Sequence, residues 1–275
     1  MKNQENIYIL NLKWYNHIEN FKGYKKMSKK RYKSKYNLII FIITLIIITL
    51  LGYYENNYEI ENNTIQNDTQ IAINKAVSFN LNEIPDFDGK TPYVILNNNE
   101  PEFPNEDFNT NSFEKYSELD SLGRCGVAYA NVSKDTMPTE ARGDISKVKP
   151  TGWHAVRYDC VDGKYLYNRC HLIGYQLTAE NANKQNLITG TRYLNVEGML
   201  PFENQVAEYV KTTNGHVLYR VTPIFKDNNL VANGVQMEAE SVEDRGEKVK
   251  FNIYAYNVQP NIKINYLTGS SELIE

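Results

Sequence analysis

Short hydrophobic segments, each rich in β-branched and aromatic residues, recur along most of the chain and are bounded by Gly, Asn, Asp or Pro. Segments of this length and composition predict β-strands. We predict strands at 93–96, 126–132, 153–159, 164–168, 216–225, 230–238 and 249–258. Three strong turn dipeptides accompany them, namely Asp162-Gly163, Asn214-Gly215 and Asn233-Gly234.

One segment has the periodicity of a helix. Phe202, Val206, Tyr209 and Val210 recur at i, i+4, i+7 and i+8, and Pro201 suits the first helical turn. We therefore predict a helix over 202–212. Many short strands combined with one clear helix predict an α+β domain.

The most apolar stretch of the chain is 38–51, where only two threonines interrupt the apolar residues. Gly52, Tyr53 and Tyr54 extend it, although it remains slightly short of the roughly 20 residues of a membrane span. A run of basic residues precedes it: Lys22, Lys25, Lys26, Lys29, Lys30, Arg31, Lys33 and Lys35. By the positive-inside rule this flank stays cytoplasmic, which places everything after Tyr54 outside.

The domain organisation follows from these segments. We predict a basic cytoplasmic segment at 1–37, a transmembrane or signal segment at 38–54, a flexible spacer at 55–80 and one compact domain at 81–275. An anchor is favoured over a cleaved signal peptide, because no A-x-A-like cleavage site follows the apolar core.

The charge is distributed unevenly along the chain. Up to position 37, ten Lys and Arg residues stand against Glu5 and Glu19, so the remainder carries about −11 if the whole is −3. A domain with this negative charge is unsuited to binding nucleic acid through a broad basic surface. Any phosphate chemistry would be local, and would need a bound cation and a few arginines.

Cys125, Cys160 and Cys170 permit at most one intramolecular disulfide, so they do not form a disulfide scaffold. A Cys160–Cys170 bridge is disfavoured within the predicted hairpin, and a pair with Cys125 stays open. A zinc site from these cysteines with His171 or His154 lacks the usual paired short spacings.

The most informative residues for chemistry begin at His171, one of only four histidines. It follows a strand-like segment and precedes a Gly-containing turn, so its imidazole could face a cleft from a rigid backbone. An imidazole can accept a proton from water at neutral pH. A lone histidine is more often structural, but Asn186, Asn195 and Glu203 follow it in order.

This combination resembles the signature of the DNA/RNA non-specific endonuclease family, in which a D-R-G-H motif precedes an asparagine-bearing segment, a metal-binding asparagine and a helix with a glutamate. Asn168-Arg169-Cys170-His171 stands at the D-R-G-H position, and Leu172-Ile173-Gly174-Tyr175 continues it as in streptococcal-type secreted nucleases. The resemblance covers roughly residues 122–267. Two letters differ, since Asn168 replaces an aspartate and Cys170 replaces a glycine; neither change removes a group that the mechanism uses directly.

The resemblance implies a ββα-metal finger nuclease core within an α+β domain with a mixed or antiparallel sheet. It implies sequence-nonspecific hydrolysis of DNA and RNA, with His171 as general base and Asn195 as ligand of Mg²⁺ or, as a substitute, of Mn²⁺. Glu203 is expected to hydrogen-bond the metal's waters, and Asn186 to shape the loop beneath Asn195. The candidate cationic side chains are Arg169, Arg192 and, more weakly, Arg157.

The expected partners are DNA and RNA as substrates and the membrane through the N-terminal segment, with no feature that requires a protein partner. Trp153, Tyr165 and Tyr175 could stack on bases, although such aromatics are more often core residues. Two alternatives stay open. One is a membrane-anchored module that binds nucleic acid without turnover, and the other is a metal-dependent phosphodiesterase for small cell-envelope substrates.

Overall fold

The computed structural model describes residues 84–274 and six helical positions between 43 and 52. The segments predicted at 1–37 and 55–80, and most of 38–54, lie outside the described residues. Within the part of the chain that is described, no helix is both long enough and apolar enough to cross a membrane. Residues 84–274 all fall in one compact unit.

Ten strands and two α-helices make up the described domain, in an α+β arrangement. In chain order they are β1 Tyr93–Ile95, β2 Phe113–Tyr116, β3 Ala128–Val132, β4 Tyr167–His171, α1 Tyr175–Thr178, β5 Leu187–Thr191, α2 Leu200–Thr213, β6 Val217–Ile224, β7 Gly234–Ser241, β8 Lys250–Tyr256, β9 Ile262–Ile264 and β10 Ser271–Leu273. A π-helical turn, Leu194–Met199, leads directly into α2, and single 3-10 turns occur at Asn97–Asn99, Asn105–Asp107 and Lys184–Asn186.

The main sheet has six strands in the order β1-β8-β7-β6-β3-β2, and every pairing in it is antiparallel. Alternate residues of its strands point to one face, as the two-residue period of a strand requires. Tyr219 on β6 pairs with Ala130 on one side and Ala239 on the other, and all three are fully buried. This face packs in one core with Val206 and Val210 of α2.

The opposite face of the sheet carries a buried polar cluster and is also covered. Arg220 and Glu238 form a buried ion pair of 2.8 Å across β6 and β7. The Arg220 guanidinium also donates to the main-chain oxygen of Glu102 and lies over the ring of Phe103. The sheet is therefore covered on both faces and forms a rigid platform for the elements around α2.

A strand-strand-helix unit lies on the apolar face. β4 and β5 pair antiparallel, with His171 opposite Leu187, and Cys170 and Ile188 of this pair join the core that contains α2. The segment between the two strands carries α1. In this way His171 at the end of β4 and Glu203 in the first turn of α2 are held by neighbouring elements.

The predicted helix and the predicted strands corresponding to β1, β3, β6 and β8 are confirmed, within two residues at their ends, whereas the strand predicted at 230–238 is found further along the chain, as β7. The sheets of the described domain are antiparallel rather than mixed. The strand predicted at 153–159 is wrong. Only a single bridge joins Arg157 to Tyr165, because consecutive turns occupy the chain between Tyr158 and Lys164. The strand predicted at 164–168 instead begins at Tyr167.

Candidate active site

One cleft of about 740 Å³ collects most of the chemistry-bearing side chains. Its walls come from β4, α1, the π-helical turn, the start of α2 and the loop before β4. The charged and amide side chains and the histidine that line it are Arg142, Asn168, Arg169, His171, Gln176, Asn195 and Glu203. His171 and Asn195, which lie on different elements, therefore face a common space.

His171 is the last residue of β4 and is only 6% exposed. Its Nε2 lies 2.8 Å from the main-chain oxygen of Asn181. A carbonyl oxygen can only accept, so Nε2 carries the proton and Nδ1 keeps its lone pair. Burial, and to a smaller extent the positive charge of Arg142, lower the pKa of His171 below its ordinary value of 6.5. The ring is consequently neutral at pH 7 and has the protonation state of a general base.

Arg142 is the basic side chain closest to this base. Its terminal nitrogen lies 3.4 Å from Nδ1 of His171, and its guanidinium lines the cleft from an otherwise exposed loop. The sequence analysis missed this residue, because it lies in a loop without periodicity and outside the motif. Arg142 is placed to meet an anion that reaches Nδ1 of His171.

Arg169 lines the cleft but uses its guanidinium for the protein itself. It donates to the main-chain oxygens of Val148 and Ser146 and lies 4.1 Å from the ring centroid of Trp153. These contacts tie the loop that follows Arg142 to strand β4. Arg169 thus braces one wall of the cleft.

Asn195 lies in the π-helical turn, an element that occurs often at functional sites. Its Oδ1 accepts a hydrogen bond from the thiol of Cys170 at 3.1 Å, and its Nδ2 lies 3.4 Å from Oδ1 of Asn168. The carboxamide is therefore held from β4 at both of its ends and still lines the cleft.

Glu203 is a buried carboxylate, 9% exposed, in the first turn of α2. Burial raises its pKa to about 7, and this effect is partly offset by a hydrogen bond from the main-chain N–H of Gly174 and by the charge of Arg142. Gly174 is required for this approach, since a Cβ there would lie 2.6 Å from Oε2 of Glu203. Among the described side chains, no Lys or Arg comes within salt-bridge distance of this carboxylate.

The donor set of the cleft fits a hard divalent cation that keeps its waters. No group of three or more His, Cys, Asp or Glu side chains in the described part of the chain is placed to ligate a metal. The oxygens that line it include those of the Asn195 carboxamide and of the buried Glu203 carboxylate, which has no ion-pair partner among the described residues. Mg²⁺ binds through few protein oxygens and retains several waters, so this set suits it. A cation would also compensate the buried negative charge of Glu203.

Three other predicted site residues lie away from the cleft lining. Asn186 is fully buried, and its carboxamide bonds both the main-chain N–H and the carbonyl of Ile173, so it holds the chain just after His171 rather than the turn beneath Asn195. Arg192 pairs with Asp162 at 2.8 Å, and Arg157 lies over the ring of Tyr165. Both arginines are engaged at the surface, and Arg142 occupies the place in the cleft that we expected for one of them.

The three cysteines differ in their surroundings. All are free thiols, so the disulfide with Cys125 that the sequence left open is not formed. Cys125 is buried and donates to main-chain oxygens, Cys160 is exposed, and Cys170 is buried beside Asn195.

Comparison with a family model places these residues in a known context. The model described as DNA/RNA non-specific endonuclease matches residues 104–243, which is more than half of the chain. The matched region contains every polar residue of the cleft, Arg142 included. No match was found among curated proteins.

Solved structures resemble the chain over a longer stretch. The crystal structure of NucA from Streptococcus agalactiae with magnesium ion bound has a TM-score of 0.58 and 27% identity, and the match covers 67% of this chain and 91% of that one. The same protein with no metal bound gives a TM-score of 0.57 and 27% identity, with 68% and 92% covered. Sda1 nuclease with bound zinc ion gives a TM-score of 0.50 and 26% identity, with 59% and 81% covered.

Proposed function

The chain belongs to the DNA/RNA non-specific endonuclease family, and from this premise we propose that its cleft hydrolyses phosphodiester bonds in both DNA and RNA with His171 as general base. The observation that carries the proposal is the shared cleft. A neutral, buried imidazole, whose Nδ1 keeps its lone pair beside the Arg142 guanidinium, and a carboxamide oxygen suited to a cation line the same space.

His171 would take a proton from the attacking water at Nδ1. The water oxygen then bonds to phosphorus while the phosphorus–oxygen bond to the 3′ leaving group breaks, and the leaving 3′-oxygen takes a proton from solvent water. Asn181 stabilises the resulting imidazolium, because its main-chain oxygen already accepts from Nε2. Arg142 would pair with a non-bridging oxygen of the same phosphate, since its guanidinium lies beside Nδ1 and is free to donate toward the cleft.

Asn195 would hold Mg²⁺ through Oδ1, with Mn²⁺ as a substitute, and Glu203 would accept hydrogen bonds from water around the ion. When bound, the ion supplies stabilisation of the negative charge that develops on the phosphate. One of the related NucA structures carries a magnesium ion, and the Sda1 structure carries zinc, which supports a metal requirement here. A bound cation also explains how an acidic domain attracts a polyanion.

The cleft addresses phosphate rather than base identity. Arg142 and a cation held by Asn195 would both act on the phosphate, and contacts to phosphate carry no sequence information. Trp153, Tyr165 and Tyr175 line the same cleft and offer rings for stacking, which every base accepts. We therefore expect weak sequence preference and cleavage of RNA as well as DNA.

We further propose that the domain at 81–275 acts outside the cytoplasm, behind or released from the segment at 38–54. The apolar run and its basic flank support this placement. If the domain stays anchored, protease added to intact cells should remove it. If it is released, it should be found in the medium. Complete protection inside intact cells would contradict the placement.

The proposed activity is tested with full-length protein on supercoiled plasmid and on RNA, each with Mg²⁺ or with EDTA. We expect cleavage of both substrates with Mg²⁺, none with EDTA, and a loss of about 10²- to 10⁴-fold for His171→Ala. His154→Ala is the matched control, because His154 is exposed and bonds only the main-chain oxygen of Thr268. Full cleavage by His171→Ala would reject the mechanism, whereas binding without cleavage by the wild-type protein would favour the binding module.

A further inference from the structure

Asn195 is held by two side chains of a single strand. Asn168 and Cys170 are two residues apart on β4, so they point to the same face, and both contact the Asn195 carboxamide. They are also the two positions at which the chain departs from the D-R-G-H motif. The intervening Arg169 points to the other face and braces the loop there.

The position of the Cys170 side chain is fixed by packing between β4 and β5. Its side chain is 1% exposed and lies against Gly190 of β5, where an added Cβ would come 2.6 Å from Cβ of Cys170. Glycine at position 190 thus leaves the space that the Cys170 side chain fills. The thiol is consequently fixed in position and cannot turn away toward solvent.

The thiol proton has one favoured acceptor. Oδ1 of Asn195 lies 3.1 Å from Sγ, whereas the thioether sulfur of Met199 lies at 3.5 Å and the main-chain oxygen of His171 at 3.7 Å. A carboxamide oxygen is both the nearest of the three and a stronger acceptor than a thioether. It has two lone pairs, so the S–H bond leaves one of them for a cation.

The contact between Asn168 and Asn195 does not by itself fix which end of the Asn195 amide faces the cation. Each carboxamide carries both an acceptor and donors, so both can turn over and keep an N–H···O bond. If Asn195 turned over, its NH₂ group would face the cation, and the sulfur would be left with only a weak contact. The thiol of Cys170 distinguishes the two orientations.

We propose that Cys170 is a positioning residue that orients the Asn195 carboxamide, with Oδ1 directed for cation binding, and that it supplies the orientation which Asn168 cannot impose. This inference rests on the proposed function, since it assigns a role toward the same cation. Cys170 acts through Asn195 and does not itself line the cleft.

The first test measures Mn²⁺ affinity of the full-length protein, by the free-Mn²⁺ signal in electron paramagnetic resonance, together with thermal stability. We expect Cys170→Ala to weaken Mn²⁺ binding about 10-fold, as loss of a partner of a metal ligand does. Cys170→Ser keeps a donor and should stay within about threefold of wild type. Packing alone predicts the opposite order, because a buried hydroxyl is harder to accommodate than a methyl group.

Cys125→Ala is the matched control. Cys125 is also buried and also donates its thiol proton, but to main-chain oxygens away from Asn195. It should lose stability and bind Mn²⁺ as wild type does. Equal Mn²⁺ affinity of Cys170→Ala and wild type, or weaker binding by Cys170→Ser than by Cys170→Ala, would overturn the proposal.

A double-mutant cycle compares the effect of Cys170→Ala on Mn²⁺ affinity in the wild-type and Asn168→Asp backgrounds. The conclusion then does not depend on how well any single variant folds. A carboxylate can only accept, so it fixes Nδ2 of Asn195 toward position 168 without help from the thiol. The roughly 10-fold effect of Cys170→Ala should therefore shrink to nearly onefold in the Asn168→Asp background. An undiminished effect in that background would refute the orienting role.

Asn195→Ala distinguishes failure of the proposed metal site from failure of the role proposed for Cys170. If Asn195→Ala binds Mn²⁺ as tightly as wild type, Asn195 is not the ligand and the proposed metal site fails together with this inference. If Asn195→Ala loses binding while Cys170→Ala does not, only the role of Cys170 is rejected.

Discussion

Nε2 of His171 donates to the main-chain oxygen of Asn181 over 2.8 Å, which leaves Nδ1 as the only ring nitrogen able to accept a proton. Because burial lowers the pKa of this imidazole below 6.5, the ring is already neutral at pH 7. Catalysis requires the neutral ring, so activity should be lost only as pH falls through the lowered pKa. The acid limb of kcat/KM, measured at saturating Mg²⁺, is expected below pH 6.5.

Arg142 gives this prediction an internal check. Its positive charge contributes to the low pKa of His171, so removing it favours the protonated ring. In Arg142→Ala the acid limb should move to higher pH. A limb centred above pH 6.5 in the wild-type protein would mean that some group other than a buried His171 controls the rate.

A second prediction concerns Gly174, whose missing Cβ makes room for Glu203. The backbone of Gly174 has φ −60°, which any residue adopts, so Gly174→Ala introduces only the contact with the carboxylate. We expect Glu203 to be displaced, Mg²⁺ affinity to fall about 10-fold and stability to drop by about 1 kcal/mol or more. Affinity is measured by calorimetry and stability by thermal unfolding.

Gly163→Ala is the control for Gly174→Ala. Gly163 lies at φ +67° in an exposed turn, and an added Cβ there meets nothing within 4 Å. It should lose stability through backbone strain and keep its Mg²⁺ affinity. Unchanged Mg²⁺ binding in Gly174→Ala would show that Glu203 does not serve the cation.

The sequence predicted the elements whose periodicity is strong. The helix that carries Glu203 follows from its apolar spacing, and the buried strands β6 and β8 follow from their β-branched and aromatic composition. Strand β5 was missed because Gly190 near its end weakens a strand pattern, yet that glycine is what admits the side chain of Cys170. Gly190 is needed for packing between two strands, and the strand propensity of the local sequence does not include such a contact.

The candidate site was predictable only where the motif is contiguous or follows a fixed order. His171, Asn195 and Glu203 are found together in the cleft. Arg157 and Arg192 were expected there and are not found there, since chain proximity to the motif is a poor guide to the direction of a long side chain. Arg192 is three residues from Asn195 but pairs with Asp162, whereas Arg142 reaches His171 from a loop 29 residues away.

A third prediction concerns the metal-free protein. Burial raises the pKa of Glu203 from 4.5 to about 7, so the folded state binds this proton more tightly than the unfolded state does. The contribution of Glu203 to stability is therefore present below pH 4.5 and is lost as pH rises through about 7, by an amount on the order of 3 kcal/mol. In EDTA, Glu203→Gln should become progressively more stable than wild type across this window.

Mg²⁺ should reverse that order, because it interacts favourably with the ionised carboxylate and not with the amide. Thermal unfolding at pH 5 and pH 8, with EDTA and with Mg²⁺, gives the four values needed. A stability difference between Glu203→Gln and wild type that does not change with pH would indicate that the carboxyl group has the same pKa in the folded and unfolded states.

The last prediction compares two arginines that the fold treats differently. Arg142 lines the cleft beside Nδ1 of His171, whereas Arg192 is engaged with Asp162 at the surface. If Arg142 stabilises the charge that develops on the phosphate, Arg142→Ala should lower kcat about 10²- to 10³-fold, and Arg142→Lys should recover part of it by keeping the charge without the bidentate geometry. Arg192→Ala should stay within about threefold of wild type, because an exposed ion pair contributes little. Plasmid cleavage rates at saturating substrate rank the three variants, and a larger loss for Arg192→Ala than for Arg142→Ala would assign the phosphate contact to Arg192, one of the cationic side chains expected from the sequence.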